Sequence, residues 1–155
     1  MISVEPELET ICGPLLNYQR MSEEVGQVIW HGSVLLVTRA GQKLPRLELE
    51  PLSRGSRKQR VEALKLYADL DKTFWRFTLQ VPLANAQAVW KYTIPEVNFR
   101  SQVSKDPSRE FVVPAVSESM RIMFHSCNGF SVGTDEDFWS GKATSRTLIW
   151  ICADR

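Results

Sequence analysis

The chain has 155 residues, 43% of them hydrophobic and 24% charged, and a formal net charge of +1. That length holds one ordinary domain, or a small domain and part of a second, with the composition of a soluble globular protein. The near-neutral balance gives no global argument for a nucleic-acid partner, and no apolar run approaches the length of a membrane span. Three widely spaced cysteines, Cys12, Cys127 and Cys152, fit a reducing interior better than a disulfide framework. The segment with Glu5, Glu7 and Glu9 lacks the basic start and apolar core of a signal peptide. An intracellular, cytoplasmic location is expected, with peripheral membrane association left open.

Residues 1–26 read as an N-terminal strap over a sheet edge, with a turn at Cys12-Gly13-Pro14 and Leu15, Leu16 and Tyr18 as anchors. Cys12 is read there as a small buried residue rather than a reactive thiol. Gln27 to Thr38 carries the strongest strand pattern. Val28, Trp30, Gly32, Val34 and Leu36 share one face, and Gly32 marks a bulge or a close approach. His31 is read as a hydrogen-bonded structural histidine, because no second ligand type lies near it in sequence. Leu47 to Leu52 starts a half-exposed strand. Arg54 to Arg60 (RGSRKQR) is basic, yet no aromatic interleaves with it, so a solvated loop is preferred over a phosphate contact.

Glu62 to Leu70 is ambiguous, since its Ala, Leu, Glu and Lys favour helix. The period of two predicts a strand with Leu64, Leu66 and Ala68 on one face. Thr73 to Pro82 places Trp75, Phe77, Leu79 and Val81 inward, and Gln87 to Pro95 groups Trp90, Tyr92 and Ile94. The aromatic stripe is read as core rather than as a sugar-stacking platform. Glu96 to Arg109 reads as an exposed loop, and Glu110 to Ala115 as a short strand ended by Pro114. Alternating strands with polar turns predict a mainly β fold, a β-sandwich over residues 27–117.

The stretch from Ser117 to Gly141 has a different grammar. Met120, Ile122 and Phe124 alternate with Arg121, Met123 and His125, and the strand meets Ser126-Cys127-Asn128-Gly129, where small residues let the backbone bend. Asp135, Glu136 and Asp137 follow as a helix start. Strand, small polar loop and helix is where α/β folds place chemistry.

On these residues the chain resembles fungal proteins of the PhoD-like phosphatase group, related to alkaline phosphatase D. The segments that carry the likeness are ICGPLLNYQRM, IWHGSVLLVT, LKLYADLDKTFWRFTLQVPL, WKYTIP and FVVPAVSESMRIMFHSCNGFSVGTDEDFWSG. The resemblance implies an immunoglobulin-like or fibronectin-like sandwich, followed over residues 118–141 by the first strand of a truncated α/β metallophosphatase domain. It implies that Cys127 is a metal ligand, with His125 and Asn128 as weaker neighbours, in a two-metal site of iron and calcium acting on phosphate esters. Thiolate suits a transition metal, and oxygen ligands suit calcium.

The sequence departs from that pattern in two places. It has Ser126-Cys127-Asn128 where bacterial members tend to have Ser-Cys-Gln, and residues 142–155 match nothing in the family. Residues Ser140 to Arg155 are expected to have no fixed place. The family's further Asp, Asn and His ligands have no counterpart in these 155 residues, so the chain by itself is expected to be inactive. Two readings compete with the metallophosphatase fragment. One is a free-standing sandwich that binds a protein or glycan; the other is a cysteine hydrolase using Cys127 with His125, for which no orienting carboxylate is evident.

Overall fold

The computed structural model describes residues 8–53, 57–99 and 107–120. They form eight strands: β1 (Leu8–Glu24), β2 (Gln27–Arg39), β3 (Arg46–Pro51), β4 (Gln59–Ala68), β5 (Lys72–Pro82), β6 (Ala88–Thr93), β7 (Val97–Phe99) and β8 (Ser108–Val113). The strand order is β7-β1-β2-β5-β4-β3-β6-β8. Every pairing is antiparallel except β1 with β7. The structure is mainly β, and no helix occurs among the described residues.

The sheet curls, and β4 is where it turns. Gln59 to Glu62 pair with β3, whereas Ala63 to Ala68 pair with β5. In a flat sheet, β2 and β8 would lie five strand spacings apart, roughly 24 Å. Instead Trp30 of β2 and Phe111 of β8 stack with ring centroids 5.2 Å apart. The curl therefore folds one half of the sheet over the other, with the alternate residues of both halves enclosed between them.

That interior is the aromatic stripe expected from the sequence. Trp30, Trp75, Phe77, Trp90 and Tyr92 are all buried, together with Leu36, Leu47, Leu49, Leu79, Val81 and Ile94. The burial of Trp90 and Tyr92 removes them from any exposed sugar platform. Trp75 donates its indole Nε1–H to Thr38 Oγ1 at 2.9 Å, which satisfies a buried polar pair at one end of the core. Burial pushes the Tyr92 phenol up from its ordinary 10.0 to about 12, against a smaller opposing pull from Arg109. A folded-state value above the unfolded one means stability that is complete below about pH 10 and lost as pH rises through about 12. Alkaline unfolding should therefore steepen in that window, and Tyr92→Phe should lack that component in denaturation curves taken across it.

Four sequence expectations need correction. The segment read as a strap is β1, a strand of 17 residues. Its register against β2 shifts between Thr10 and Cys12, Cys12 and Leu15, and Tyr18 and Arg20, so its inward residues Leu8, Leu16, Tyr18 and Met21 do not keep a strict alternation. Cys12, expected to be buried, is exposed on the outer face opposite Val37. In β4 a register shift between Lys65 and Tyr67 breaks the common face of Leu64, Leu66 and Ala68. Leu64 and Leu66 are exposed, while Val61 and Ala63 pack on the core. Finally, the region read as a loop after Glu96 includes β7, whose Leu8↔Val97 register opens its parallel pairing with β1.

The β1–β2 hairpin closes on Val25-Gly26, both with positive φ, at 50° and 76°. Two-residue hairpins favour this geometry, but with Asn or Asp at the first position, because a β-branched residue there is strained. Val25 is fully exposed, so its side chain offers no compensation. Val25→Asn should raise the unfolding free energy by about 1 kcal/mol in chemical denaturation.

Candidate functional site

Cys127, Asn128 and His125, the residues that the resemblance marks, lie outside the described residues, as do Asp135 to Asp137 and residues 142–155. Two polar groupings can be built from the residues that are described.

The first surrounds His31. Alternation along β2 turns His31 to the outer face, opposite Arg20 of β1 and Gln80 of β5. It is nevertheless buried, at the closed end of the β1–β2 hairpin. Ser22 Oγ lies 2.6 Å from His31 Nε2 and donates to Glu24 Oε1 at 2.9 Å; Glu24 Oε1 is 3.4 Å from the same nitrogen. A carboxylate only accepts, so the single hydroxyl proton of Ser22 is committed to Glu24. His31 Nε2–H is then the donor toward Ser22. This order is the reverse of what an activated serine needs, since a base must accept the hydroxyl proton and an acid must orient the other ring nitrogen. The group ties the hairpin together, and His31 is the structural histidine that its sequence context implies.

The second is a pocket of about 200 Å³ on the outer face, lined by Arg46, Glu48, Arg60, Pro95 and Glu96. Register builds it. Arg46 and Glu48 project from β3 away from the buried Leu47 and Leu49, and Arg60 of β4 stands directly opposite Glu48. Lys43 approaches Glu96 Oε1 at 3.3 Å, and Lys58 approaches Glu48 Oε2 at 3.0 Å and Glu50 Oε1 at 3.8 Å. The hydrogen bond to Glu48, reinforced by the charges of Glu48 and Glu50, holds the Lys58 ammonium above its ordinary value. Glu96 Oε2 is buried without a hydrogen-bond partner. The pocket combines cations that can hold an anionic group with an acceptor that wants a donor.

The basic run contributes Arg60 to this pocket, while Arg57 and Lys58 are solvent-exposed. Nothing in the sequence foretold the meeting of Arg46, Arg60 and Glu96, because they come from separate elements. Among the described residues, no group of three or more His, Cys, Asp and Glu side chains is placed to hold a metal ion. No helix there is long and apolar enough to cross a membrane.

Comparison with known proteins adds one relationship. The chain is 24% identical over 150 residues to Uncharacterized protein YGR266W of Saccharomyces cerevisiae (strain ATCC 204508 / S288c). The alignment takes in 88% of this chain and 20% of that protein, so the chain spans about a fifth of the relative's length. No protein-family model matches the chain, and no solved structure does.

Proposed function

We propose that these residues form the non-catalytic amino-terminal β module of a PhoD-like metallophosphatase or phosphodiesterase, arranged as an immunoglobulin-like or fibronectin-like sandwich with the catalytic domain beginning near Ser117. The observation that carries this reading is the stretch FVVPAVSESMRIMFHSCNGFSVGTDEDFWSG, which starts inside β8 and runs directly on from the β module. Three further features support it. The Trp30–Phe111 stack fits two layers facing each other, and β4 serves both halves of the sheet. The relative is about five times the length of the matched region, which leaves room in it for further domains.

In the proposed enzyme, Cys127 is one ligand of an iron and calcium pair, with His125 and Asn128 beside it. Such a pair polarises phosphoryl oxygens and supplies a hydroxide nucleophile for phosphate-ester hydrolysis. Near neighbours on one strand cannot surround two cations, because each cation needs ligands converging from several directions. The 155-residue chain, loaded with iron and calcium, should therefore show no turnover of an aryl phosphate or phosphodiester above the free-metal control. A longer form carrying the downstream region should turn over, and lose activity on Cys127→Ala. Cys127-dependent turnover by the short chain would overturn the assignment of a non-catalytic module, and failure of the longer form would overturn the metallophosphatase reading.

The alternative is a binding module in its own right. The pocket between Arg46, Arg60 and Glu96 favours it, since its two guanidinium groups and an unpartnered Glu96 oxygen offer ready contacts to a polar ligand.

A further inference from the structure

Two arginines of the outer-face pocket lack a partner among the described residues. Arg46 of β3 stands directly across from Glu62 of β4, and Arg60 directly across from Glu48, yet neither guanidinium forms an ion pair or a hydrogen bond there. The pocket's own carboxylates are already engaged. Lys58 meets Glu48 and Glu50, and Lys43 meets Oε1 of Glu96. Arg46 and Arg60 are diagonal neighbours on one face, about 7–8 Å apart along the backbone. At that spacing two long side chains can close on a single group.

A guanidinium is a fork of N–H donors without an acceptor, matched to carboxylate or phosphate oxygens. A phosphate monoester carries about −1.5 to −2 charges at neutral pH, so it answers two such groups where a carboxylate answers one.

The acidic side of the pocket asks for the opposite. β3 lies between β4 and β6, and Glu96 follows β6, so Glu96 flanks the pocket on the side away from Arg60. Its carbonyl accepts the Leu8 N–H at 2.6 Å, which fixes this turn against β1. Its Oε2 is buried without a hydrogen-bond donor, a cost best met by a charged N–H. Bare phosphate would serve the arginines and leave that oxygen facing an anion. Size sets the rest. The pocket's volume of about 200 Å³ is roughly seven waters' share of the liquid, below the range of about 300–1,000 Å³ that drug-sized ligands occupy. A nucleotide exceeds it, whereas a phosphoryl group on a stem of a few carbon atoms does not.

We infer that this pocket binds a small phosphate monoester bearing an ammonium group on a short carbon stem, with Arg46 and Arg60 on its phosphoryl oxygens and Glu96 accepting from its ammonium. The inference rests on the alternative reading above, a binding module, and is independent of any metal chemistry at Cys127.

Phosphoethanolamine, ethyl phosphate and ethylamine are the probes, titrated into the full chain at low salt while the amide signals of Leu47, Leu49 and Ile94 are followed by NMR. Phosphoethanolamine should shift these amides together and saturate. Ethyl phosphate, which lacks the ammonium, should bind about three-fold or more weakly, and ethylamine more weakly still. Arg46→Ala and Arg60→Ala should each weaken phosphoethanolamine by about five-fold, the scale of one exposed charge pair. Both arginines are exposed, so their variants should keep the urea midpoint of the unaltered chain. Glu96→Gln should erase the preference for phosphoethanolamine over ethyl phosphate. Four outcomes would overturn the assignment. Equal binding of the two esters by the unaltered chain would remove the ammonium from the ligand class. Shifts with ethylamine alone would leave a binding pocket but of the wrong class. Unchanged affinity in both arginine variants would place the ester elsewhere, and absence of any shift around the pocket would remove the binding reading as well. The same head group also occurs on lipids. Sedimentation of the chain with phosphatidylethanolamine vesicles, reversed by free phosphoethanolamine, would make a membrane the source and overturn a free ester as the ligand.

Discussion

Trp30→Ala should cost about 3–5 kcal/mol of unfolding free energy, the usual range for truncating a buried tryptophan. Trp30 is fully buried and touches aromatic rings from two other elements: Tyr18 of β1 at 6.0 Å and Phe111 of β8 at 5.2 Å. It thereby joins the two halves of the curled sheet, and its loss opens a cavity where rigid strands meet from both sides. Its indole N–H makes no hydrogen bond. The residue is thus held for its area and shape, and Trp30→Phe should cost distinctly less than Trp30→Ala. The same contact can be attacked from below. Trp30 lies across Gly32, two residues along the same face, and a Cβ on Gly32 would fall 2.2 Å from the indole Cη2. Gly32→Ala should therefore displace the ring and cost about 1–3 kcal/mol as overpacking. In the Trp30→Ala background the clash with the ring is gone, and the added methyl meets only the milder contact with the Asn17 carbonyl oxygen at 3.2 Å. A double-mutant cycle by urea denaturation should show strong coupling between the two sites, and additive losses would refute the packing account.

How much of this was legible beforehand follows from how each strand is built. β5 buries alternate residues without a break and β2 pairs with it in unbroken register, so Trp30, Val34, Phe77 and Leu79 share the inward face that the period of two in the sequence assigns them. β4 hides its geometry because the register shift near Leu66 reverses the phase, and because it shows apolar residues on the outer face as well. Alternation cannot tell an outer apolar row from the core. β1 was harder still, since its three register shifts destroy the period that marks a strand. The three residues of β7 are too few for any pattern. Gly32 stands out in the sequence as a site of close approach, and two groups approach it: the Trp30 ring of its own strand and the Asn17 backbone carbonyl of β1. The candidate site divides in the same way. His31 was readable as structural because β2 was readable, whereas the pocket of Arg46, Arg60 and Glu96 depends on the β3–β4 register, which no local signal encodes.

Gly13→Ala should be the most damaging small substitution in β1, with an expected loss of about 3 kcal/mol or more from strain and steric clash together. Gly13 has φ +92°, a conformation that residues with a Cβ rarely adopt. It sits between the register shifts at Cys12 and Leu15, where β1 departs from regular pairing with β2 and then regains it. A Cβ there would lie 2.6 Å from the Leu35 carbonyl oxygen and 3.4 Å from the Leu36 Cα. Both are backbone atoms of the strand at the centre of the fold, held on its other side by β5 through Leu35↔Arg76 and Leu36↔Trp75. Relief therefore requires either that β1 peel away from β2 or that β2 shift against β5. The first is the cheaper, since among the described residues the sheet beyond β1 continues only with the short β7. Gly13→Ala should accordingly lower the denaturation midpoint and also loosen β1 selectively. Amide exchange at Leu15 and Leu16 should accelerate well beyond that at Leu36 and Phe77. Uniform acceleration across β1, β2 and β5 would show instead that the substitution breaks the fold as a whole, and that β1 is not a separable edge.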